Sequence, residues 1–213
     1  MKVSIVITCF NREKRIARAI RSAISQRFSR ESMEVIVVDD GSTDASQAII
    51  ADFGEDVVPI LCDENQGLPA ARNAGIRKAR GRFVIHLDSD DYMHEETISV
   101  LYLHLAYNPE WGAVACDYLL VDDQERHLRR AYADEEPIAC GILFRKEALV
   151  DIGLYDREMR LLEDRELRHR FEKRYTIGFC RVPLYRYVRH DGNLTNNVDA
   201  VNHYEQVLSE KTR

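Results

Sequence analysis

The sequence predicts an α/β fold with a mostly parallel β-sheet and helices on both faces, and three observations indicate this. Over the first 90 residues, short apolar runs alternate with segments of helical periodicity, as in βαβ units. The second apolar run is continuous, which is typical of a strand covered on both faces. Polar clusters follow the apolar runs at residues 8–11, 39–42 and 88–91. Because ligands bind outside the carboxyl ends of parallel strands, a site is expected at that edge.

The first-half elements follow from apolar spacing and helix start signals. Apolar residues repeat at helical spacing after the first strand, with Asn11 as the expected N-cap, and Ser42 or Thr43 is expected to cap the next helix. Pro69 suits the first turn of a third helix that ends near Arg80. Strands are predicted at Val3–Ile7, Glu34–Val38, Val57–Leu61 and Arg82–Leu87.

The pattern is looser after residue 91, but a single domain is still expected. The polar stretch Asp122–Pro137 is predicted to be a mobile loop. Helices are predicted at Glu95–Tyr107, Glu163–Lys173 and Val198–Leu208, and strands at Trp111–Val121, Ile138–Phe144, Ile177–Val182 and Leu184–Val188.

Composition excludes several classes of protein. A net charge of −6 over 213 residues disfavours a nucleic-acid-binding protein, and the basic residues 12–21 are interpreted as the solvated face of a helix, with a membrane or acceptor patch as the alternative. Five cysteines without a C-x-x-C pair indicate reduced core thiols. No secretory signal or membrane-spanning run is visible, so a cytoplasmic protein is expected. The glycosylation sequence Asn193-Leu194-Thr195 is therefore interpreted as chance.

Three aspartates lie within four residues directly after the fourth predicted strand: Asp88, Asp90 and Asp91. Their charges repel one another, and carboxylate oxygens suit hard cations such as Mg²⁺ or Mn²⁺, which also bind substrate phosphates. The alternative is a capped turn with exposed acids. His86 and His94 flank the cluster and are interpreted as structural, because hard cations favour oxygen.

Other polar residues allow both a functional and a structural interpretation. Asp39 and Asp40 end the second strand, where a carboxylate can accept a hydrogen bond from a base or a ribose. Arg72 lies early in a helix, against the helix dipole, so a partner is expected, either a phosphate or an aspartate of the site. Glu163 and Asp164 open a helix, where acids are ordinary, although one placed carboxylate could also act as a general base.

Taken in order, these segments resemble the family 2 glycosyltransferases, which have the GT-A fold. The resemblance extends from Val3 to about Thr195. Each segment alone is a modest signal, and the eight in this order are a specific one. They are residues 6–11, residues 37–44, residues 65–67 with 71–73, residues 88–91, residues 144–146, residues 153–156, residues 162–164, and residues 185–187 with His190.

The resemblance implies a nucleotide-sugar donor, with a UDP-sugar as first choice. It assigns Thr8, Phe10 and Asp40, with Asp39 beside them, to the nucleotide. Arg72 matches a position near the base and the phosphates. Residues 1–91 would form a nucleotide-binding half and residues 92–213 an acceptor-binding half with a smaller mixed sheet.

The resemblance also implies the chemistry. Asp88 and Asp90 match the Asp-x-Asp motif that binds Mn²⁺ or Mg²⁺, with Asp90 as the direct ligand. Asp164 matches the catalytic base of an inverting transfer, with Glu163 beside it, and Arg189 and His190 are expected near the diphosphate. The acceptor would be a sugar or a lipid-linked sugar. Peripheral membrane association and a homodimer through the last helix are left open.

Three other functions are less well supported by the sequence than that of a glycosyltransferase. A nucleotidyltransferase usually has a glycine-rich basic loop after the first strand, and residues 8–12 contain no glycine. A dinucleotide-dependent dehydrogenase is disfavoured as well, because no G-x-G-x-x-G motif follows a predicted strand. A non-catalytic binding module would be favoured if Asp90 or Asp164 were missing, and both are present.

Overall fold

The computed structural model describes residues 1–193 and 196–212, which form one nine-stranded sheet with seven α-helices. The strands are β1 (Val3–Cys9), β2 (Met33–Asp39), β3 (Val58–Leu61), β4 (Phe83–Asp88), β5 (Tyr92–Met93), β6 (Trp111–Val121), β7 (His127–Ala131), β8 (Ile142–Arg145) and β9 (Thr176–Val188). The helices are α1 (Ile16–Ile24), α2 (Ser46–Ala51), α3 (Leu68–Lys78), α4 (Thr97–Tyr107), α5 (Lys146–Asp151), α6 (Glu163–Glu172) and α7 (Val198–Lys211).

The strand order is β3-β2-β1-β4-β8-β6-β9-β5, with β7 paired to β6. Neighbours among β3, β2, β1 and β4 are parallel. Strand β8 is antiparallel to both β4 and β6, while β6 and β9 are parallel. The predicted α/β fold is confirmed, and the mixed second half continues the parallel sheet directly through β8.

Two apolar layers cover the sheet, because neighbouring side chains of each strand point to opposite faces. Ile5 and Ile7 of β1 belong to the layer that includes residues of α1 and α4. Val6 belongs to the other layer, with residues of α3 and α6. Helix α3 approaches β1 closely at Gly75, where a Cβ atom would lie 2.3 Å from Val6 Cγ1.

The predicted N-caps were wrong. No side-chain cap is formed at the start of α1 or of α2. Asn11 has a left-handed backbone (φ +52°), and its side-chain oxygen accepts a hydrogen bond from Thr43 N–H at 2.8 Å. The Asn11 N–H donates to Ser42 Oγ at 2.8 Å. These polar residues therefore join the loops after β1 and β2, and this long-range role replaces local capping.

The second half differs from prediction in several places, and its elements β5 and α5 were not predicted. The predicted loop Asp122–Pro137 contains β7, which pairs with β6, and Arg129 and Glu136 form an ion pair there. Strand β8 begins only at Ile142, because Gly141 has a left-handed backbone (φ +70°). The two strands predicted between residues 177 and 188 form one strand, β9, with irregular register against β6.

All five cysteines are free thiols, four of them buried, as predicted. Within the described part of the chain, no helix is both long and apolar enough to cross a membrane. Leu194 and Thr195 of the glycosylation sequence lie outside the described residues.

Candidate active site

A cleft of about 490 Å³ lies at the carboxyl edge of the parallel strands. Residues of the three strand-end clusters line one side, and segments 137–140 and 160–165 line the other. The predicted convergence of the clusters is therefore observed. The predicted site residues that line the cleft are Thr8, Phe10, Asp40, Arg72, Asp88, Asp90, Glu163 and Asp164.

Asp40 is buried and holds the loop that follows β3. Its carboxylate oxygens accept hydrogen bonds from Gln66 N–H at 3.0 Å and from Gly67 N–H at 2.8 Å. Gly67 has φ +97°, a conformation that favours glycine. Beside this loop, Phe10 is 41% exposed at the cleft. An exposed aromatic face beside a rigid loop can stack on a planar base.

Asp39 does not line the cleft among the described residues. It is fully buried, and one of its oxygens accepts hydrogen bonds from Ser42 N–H at 2.9 Å and Gln47 Nε2 at 2.8 Å. The other oxygen, Oδ1, has no hydrogen-bond partner among the described residues. The structure thus places Asp39 in the turn after β2, one residue away from the cleft wall formed by Asp40.

Arg72 joins the two sides of the cleft from beneath. Its side chain is 1% exposed and forms ion pairs with Asp88, at 3.0 Å, and with Glu163. Its guanidinium lies 5.4 Å from the centre of the Tyr155 ring. Of the two partners predicted for this arginine, a phosphate or an acid of the site, the structure shows the acid.

Asp90 is held by a histidine that lies 100 residues further along the chain. His190 Nε2 lies 2.9 Å from Asp90 Oδ2, and His190 Nδ1 accepts a hydrogen bond from Gly192 N–H at 3.1 Å. Because Nδ1 is an acceptor, Nε2 carries the proton and donates to Asp90. Arg12 Nε lies 3.6 Å from the same carboxylate oxygen. No local sequence signal indicated this contact, since the partners are so far apart in the chain.

Asp91 also lines the cleft, but its carboxylate is bonded to β9. It is 2% exposed and accepts hydrogen bonds from Tyr185 Oη at 2.7 Å and from Val188 N–H at 2.8 Å. Burial, with the charges of Asp90 and Asp88, raises the pKa of Asp91 well above its usual range. The third acid of the cluster therefore anchors β9, and the exposed-turn alternative does not describe this segment.

The carboxylates of Asp88 and Asp90, at the end of β4, fit one kind of metal site. Among the described residues, no group of three or more histidine, cysteine, aspartate or glutamate side chains is placed to hold a metal ion. Asp88 and Asp90, however, both line the cleft. Mg²⁺ is commonly bound through one or two carboxylates, with waters and substrate phosphates completing its shell. Two carboxylates at an open cleft suit a metal that arrives with a phosphate-bearing substrate.

Glu163 and Asp164 begin α6, after Leu162 in a left-handed conformation (φ +59°). Burial raises the pKa of Glu163 to about 7, with Arg72 opposing and the charge of Asp164 adding to the rise. Burial also raises the pKa of Asp164. Among the described residues, the ion pairs of Arg72 reach Glu163 and Asp88 and not Asp164. Of this pair, Asp164 is thus the acid that forms no ion pair with Arg72.

Comparisons with known proteins agree with this architecture. The family model described as "Glycosyl transferase family 2" matches residues 4–182. The succinoglycan biosynthesis protein ExoO of Rhizobium meliloti is 32% identical over 188 residues, covering 83% of this chain and 52% of that protein. Glycosyltransferase GlyA of Streptococcus pneumoniae is 37% identical over 103 residues, covering 47% of this chain and 14% of that protein. The chain thus spans about half of one relative and a small part of the other.

Two solved structures share the fold. TarS residues 1–349 from S. aureus, in complex with UDP-GlcNAc, superpose with a TM-score of 0.81 at 20% identity, covering 99% of this chain and 66% of that one. The mannosyltransferase PcManGT from Pyrobaculum calidifontis, in complex with GDP-Man and Mn²⁺, gives 0.78 at 19% identity, with coverages of 99% and 63%. With a family model matching most of its length and this sheet topology, the chain belongs to glycosyl transferase family 2 and has the GT-A fold.

Proposed function

We propose that this protein transfers a sugar from a nucleotide-diphosphate sugar to an acceptor hydroxyl, with inversion at the anomeric carbon, in the synthesis of a polysaccharide or glycoconjugate. One observation carries the proposal. The strand-end acids Asp88 and Asp90 and the acid pair Glu163 and Asp164 line a single cleft, and Arg72 bonds to both sets.

The donor side of the cleft supports nucleotide binding. Phe10 offers an exposed ring for base stacking, and Thr8 lies beside it at the end of β1. Asp40 fixes the loop at residues 66–67 before any ligand arrives. A prearranged loop reduces the ordering cost of binding. We assign Thr8, Phe10 and Asp40 to the nucleoside, and Asp39 to support of the turn next to it.

The diphosphate is proposed to lie at Asp88 and Asp90. These carboxylates would hold Mn²⁺ or Mg²⁺, which, when bound, neutralises negative charge on a departing diphosphate. His190 orients the Asp90 carboxylate by donating from Nε2. Arg12, 3.6 Å from Asp90, adds positive charge on the same side of the cleft. PcManGT, which shares the fold, was solved with GDP-Man and Mn²⁺ together, and this supports the assignment.

Asp164 is proposed to be the general base. Its raised pKa favours taking a proton from a hydroxyl, because catalytic efficiency is highest when the pKa of the base approaches the working pH. The acceptor hydroxyl loses its proton to Asp164, and its oxygen attacks the anomeric carbon opposite the nucleotide. The bond to the diphosphate breaks with its electron pair, and the configuration inverts. Glu163, held by Arg72, fixes the helix turn that presents Asp164.

Relatives and structural neighbours support the substrate class. TarS was solved with UDP-GlcNAc, and a Bacillus spizizenii relative that is 40% identical over 102 residues is named poly(ribitol-phosphate) β-glucosyltransferase. A UDP-sugar is therefore our first choice of donor. The proposed acceptor is a hydroxyl of a sugar or of a lipid-linked sugar.

Thermal unfolding with UDP, GDP, CDP, ADP and NAD, each with and without Mn²⁺, tests the donor site. A ligand at 100 times its dissociation constant stabilises a protein by about 2.7 kcal/mol. For a domain of this size, that is a Tm rise of roughly 5–10 °C. A rise with one nucleoside diphosphate that requires Mn²⁺ is expected. No rise with any of them would oppose the proposal and favour a binding module.

Two variants separate the proposed roles. Asp164→Asn should lose turnover by at least about 100-fold, because a positioned base contributes that much, and should keep donor binding. Equal losses of turnover and donor binding would remove Asp164 from the role of base.

Asp90→Ala should abolish Mn²⁺-dependent donor binding, measured by calorimetry with and without chelator. Unchanged binding in excess Mn²⁺ would show that Asp90 is not a metal ligand. Asp91→Asn is a poor control here, because Asp91 supports β9. Asp123→Asn is a better one, since Asp123 is an exposed acid bonded to Arg15.

A further inference from the structure

Asn73 lies next to Arg72 on α3, but it has no part in the proposed chemistry. Its side chain is 2% exposed and binds both polar groups of one peptide segment. Asn73 Nδ2 donates to Tyr155 O at 2.8 Å, and Asn73 Oδ1 accepts from Tyr155 N–H at 2.9 Å. A buried amide that satisfies both backbone groups of one residue fixes that residue in position and in orientation.

The segment at Tyr155 is also fixed to α6, the helix that carries the acid pair. Arg170 of α6 donates to Leu154 O at 2.7 Å and to Ile152 O. Glu166, one turn earlier on α6, accepts from Arg170 Nε at 2.6 Å. Residues 152–155 thus form a bridge with one end on α6 and the other on the Asn73 side chain.

The ring of Tyr155 adds a second contact to α3. Arg72 lies 5.4 Å from the ring centre, and the His86 ring packs edge-on at 5.4 Å. Asn73 and Arg72 are neighbours on one helix, so the same turn of α3 holds Tyr155 and bonds to Glu163. Helix α3 is thus joined to α6 directly through the Arg72–Glu163 ion pair and indirectly through the Asn73–Tyr155 contact.

We infer that Asn73 is a positioning residue: it fixes the 152–155 bridge, and through it holds the first turn of α6 so that Glu163 meets Arg72 and Asp164 faces the cleft. The inference rests on the proposed function for its catalytic consequence only. The structural part stands on the four hydrogen bonds that join Asn73 and Arg170 to the bridge.

Gln26 provides a matched control in the other layer of the protein. It is also a buried side-chain amide bonded to backbone on both sides, with His94 O as acceptor at 2.9 Å and Ile98 N–H as donor at 3.0 Å. Its removal should loosen the start of α4 and leave the bridge intact. Comparing Gln26→Ala with Asn73→Ala therefore separates a general loss of stability from loss of this particular contact.

The test is amide hydrogen exchange on the full chain, followed by mass spectrometry of peptides. Asn73→Ala should speed exchange of residues 154–163 by about tenfold or more, because two hydrogen bonds to a buried backbone are lost. Gln26→Ala should speed exchange near residues 94–98 only. Asn73→Asp keeps the acceptor for Tyr155 N–H but places a carboxylate oxygen against Tyr155 O, so an effect at least as large as that of Asn73→Ala is expected. Unchanged exchange at residues 154–163 in both Asn73 variants would overturn the inference.

The catalytic consequence has its own readout: the release of nucleoside diphosphate from a nucleotide sugar that carries the diphosphate found to stabilise the wild-type protein. Asn73→Ala should lower kcat on the order of 100-fold, as expected for a misplacement of about 1 Å, while the donor KM changes less than about threefold. Faster exchange with unchanged kcat would overturn the positioning role. If the wild-type protein releases no nucleoside diphosphate, the proposed function fails, while the exchange result still decides whether Asn73 holds the bridge.

Discussion

Replacing Gly75 with alanine tests whether the position of α3 on the sheet is fixed by close packing. In an exposed helix interior, this change stabilises by about 1 kcal/mol, because alanine has the higher helix propensity. Here the added Cβ would lie 2.3 Å from Val6 Cγ1 and 3.3 Å from Val38 Cγ2. The two effects oppose each other, so a loss of stability would show that the clash outweighs the gain in helix propensity.

The magnitude follows from the geometry. Raising the 2.3 Å separation to the 3.4 Å of ordinary contacts requires a shift of about 1.1 Å. Overpacking of this kind costs about 1–3 kcal/mol, so the net loss after the helix gain is about 0–2 kcal/mol. For a chain of this length, Tm should fall by up to about 8 °C. Because α3 carries Arg72 and Asn73, turnover should also fall, on the order of 100-fold for a 1 Å shift.

The assay is urea unfolding of Gly75→Ala, Val6→Ala and the double variant. Removing the Val6 methyl groups makes room for the new Cβ, so the double variant should be more stable than the sum of the single changes predicts. A coupling of about 1–3 kcal/mol is expected for residues in contact. A free energy of unfolding that rises in Gly75→Ala, or strictly additive effects, would refute the packing argument.

Two further predictions concern the cleft. Burial raises the pKa of Glu163 from 4.5 to about 7 in the folded protein. Between about pH 4.5 and 7, the folded state therefore binds more protons than the unfolded state. The stabilisation from this group is lost as pH rises through that range. Glu163→Gln should therefore flatten the fall of stability between about pH 4.5 and 7, measured as Tm against pH; an unchanged slope would contradict the raised pKa. Phe10→Ala should weaken nucleoside diphosphate binding by about 5- to 100-fold, the worth of one stacking contact, with little change in Tm because the ring is 41% exposed. Calorimetry measures the binding loss, and equal affinity would remove Phe10 from the base site.

The sequence was most informative where a pattern is local. Strands β1 and β2 are continuous apolar runs, and Pro69 in the first turn marks the start of α3, so these elements were predicted nearly as they occur. The edge at which Asp40, Asp88 and Asp90 meet followed from the parallel order alone. Parallel connection fixes which ends of the strands are neighbours before any side-chain contact is known.

Contacts between distant residues could not be predicted in this way. Asn11 and Ser42 have the composition of helix caps, yet in the fold each finds a partner from the other loop. His190 carries no local sign that its ring reaches Asp90. In β9, Pro183 lacks an N–H and lies at an irregular point of the ladder with β6, which made one strand look like two.

The order in which the chain is synthesised matters for the cleft. Arg72 and Glu163 are 91 residues apart, and Asp90 and His190 are 100 apart. At about 5–20 residues per second, Asp90 leaves the ribosome roughly 5–20 s before its histidine. Strand β4 has an open edge beside three acids until β8 emerges, and Asp90 lacks its histidine for longer still. The proposed donor site is therefore completed only after His190 has been synthesised, and nucleotide binding should report folding through His190 and not folding of the first half alone.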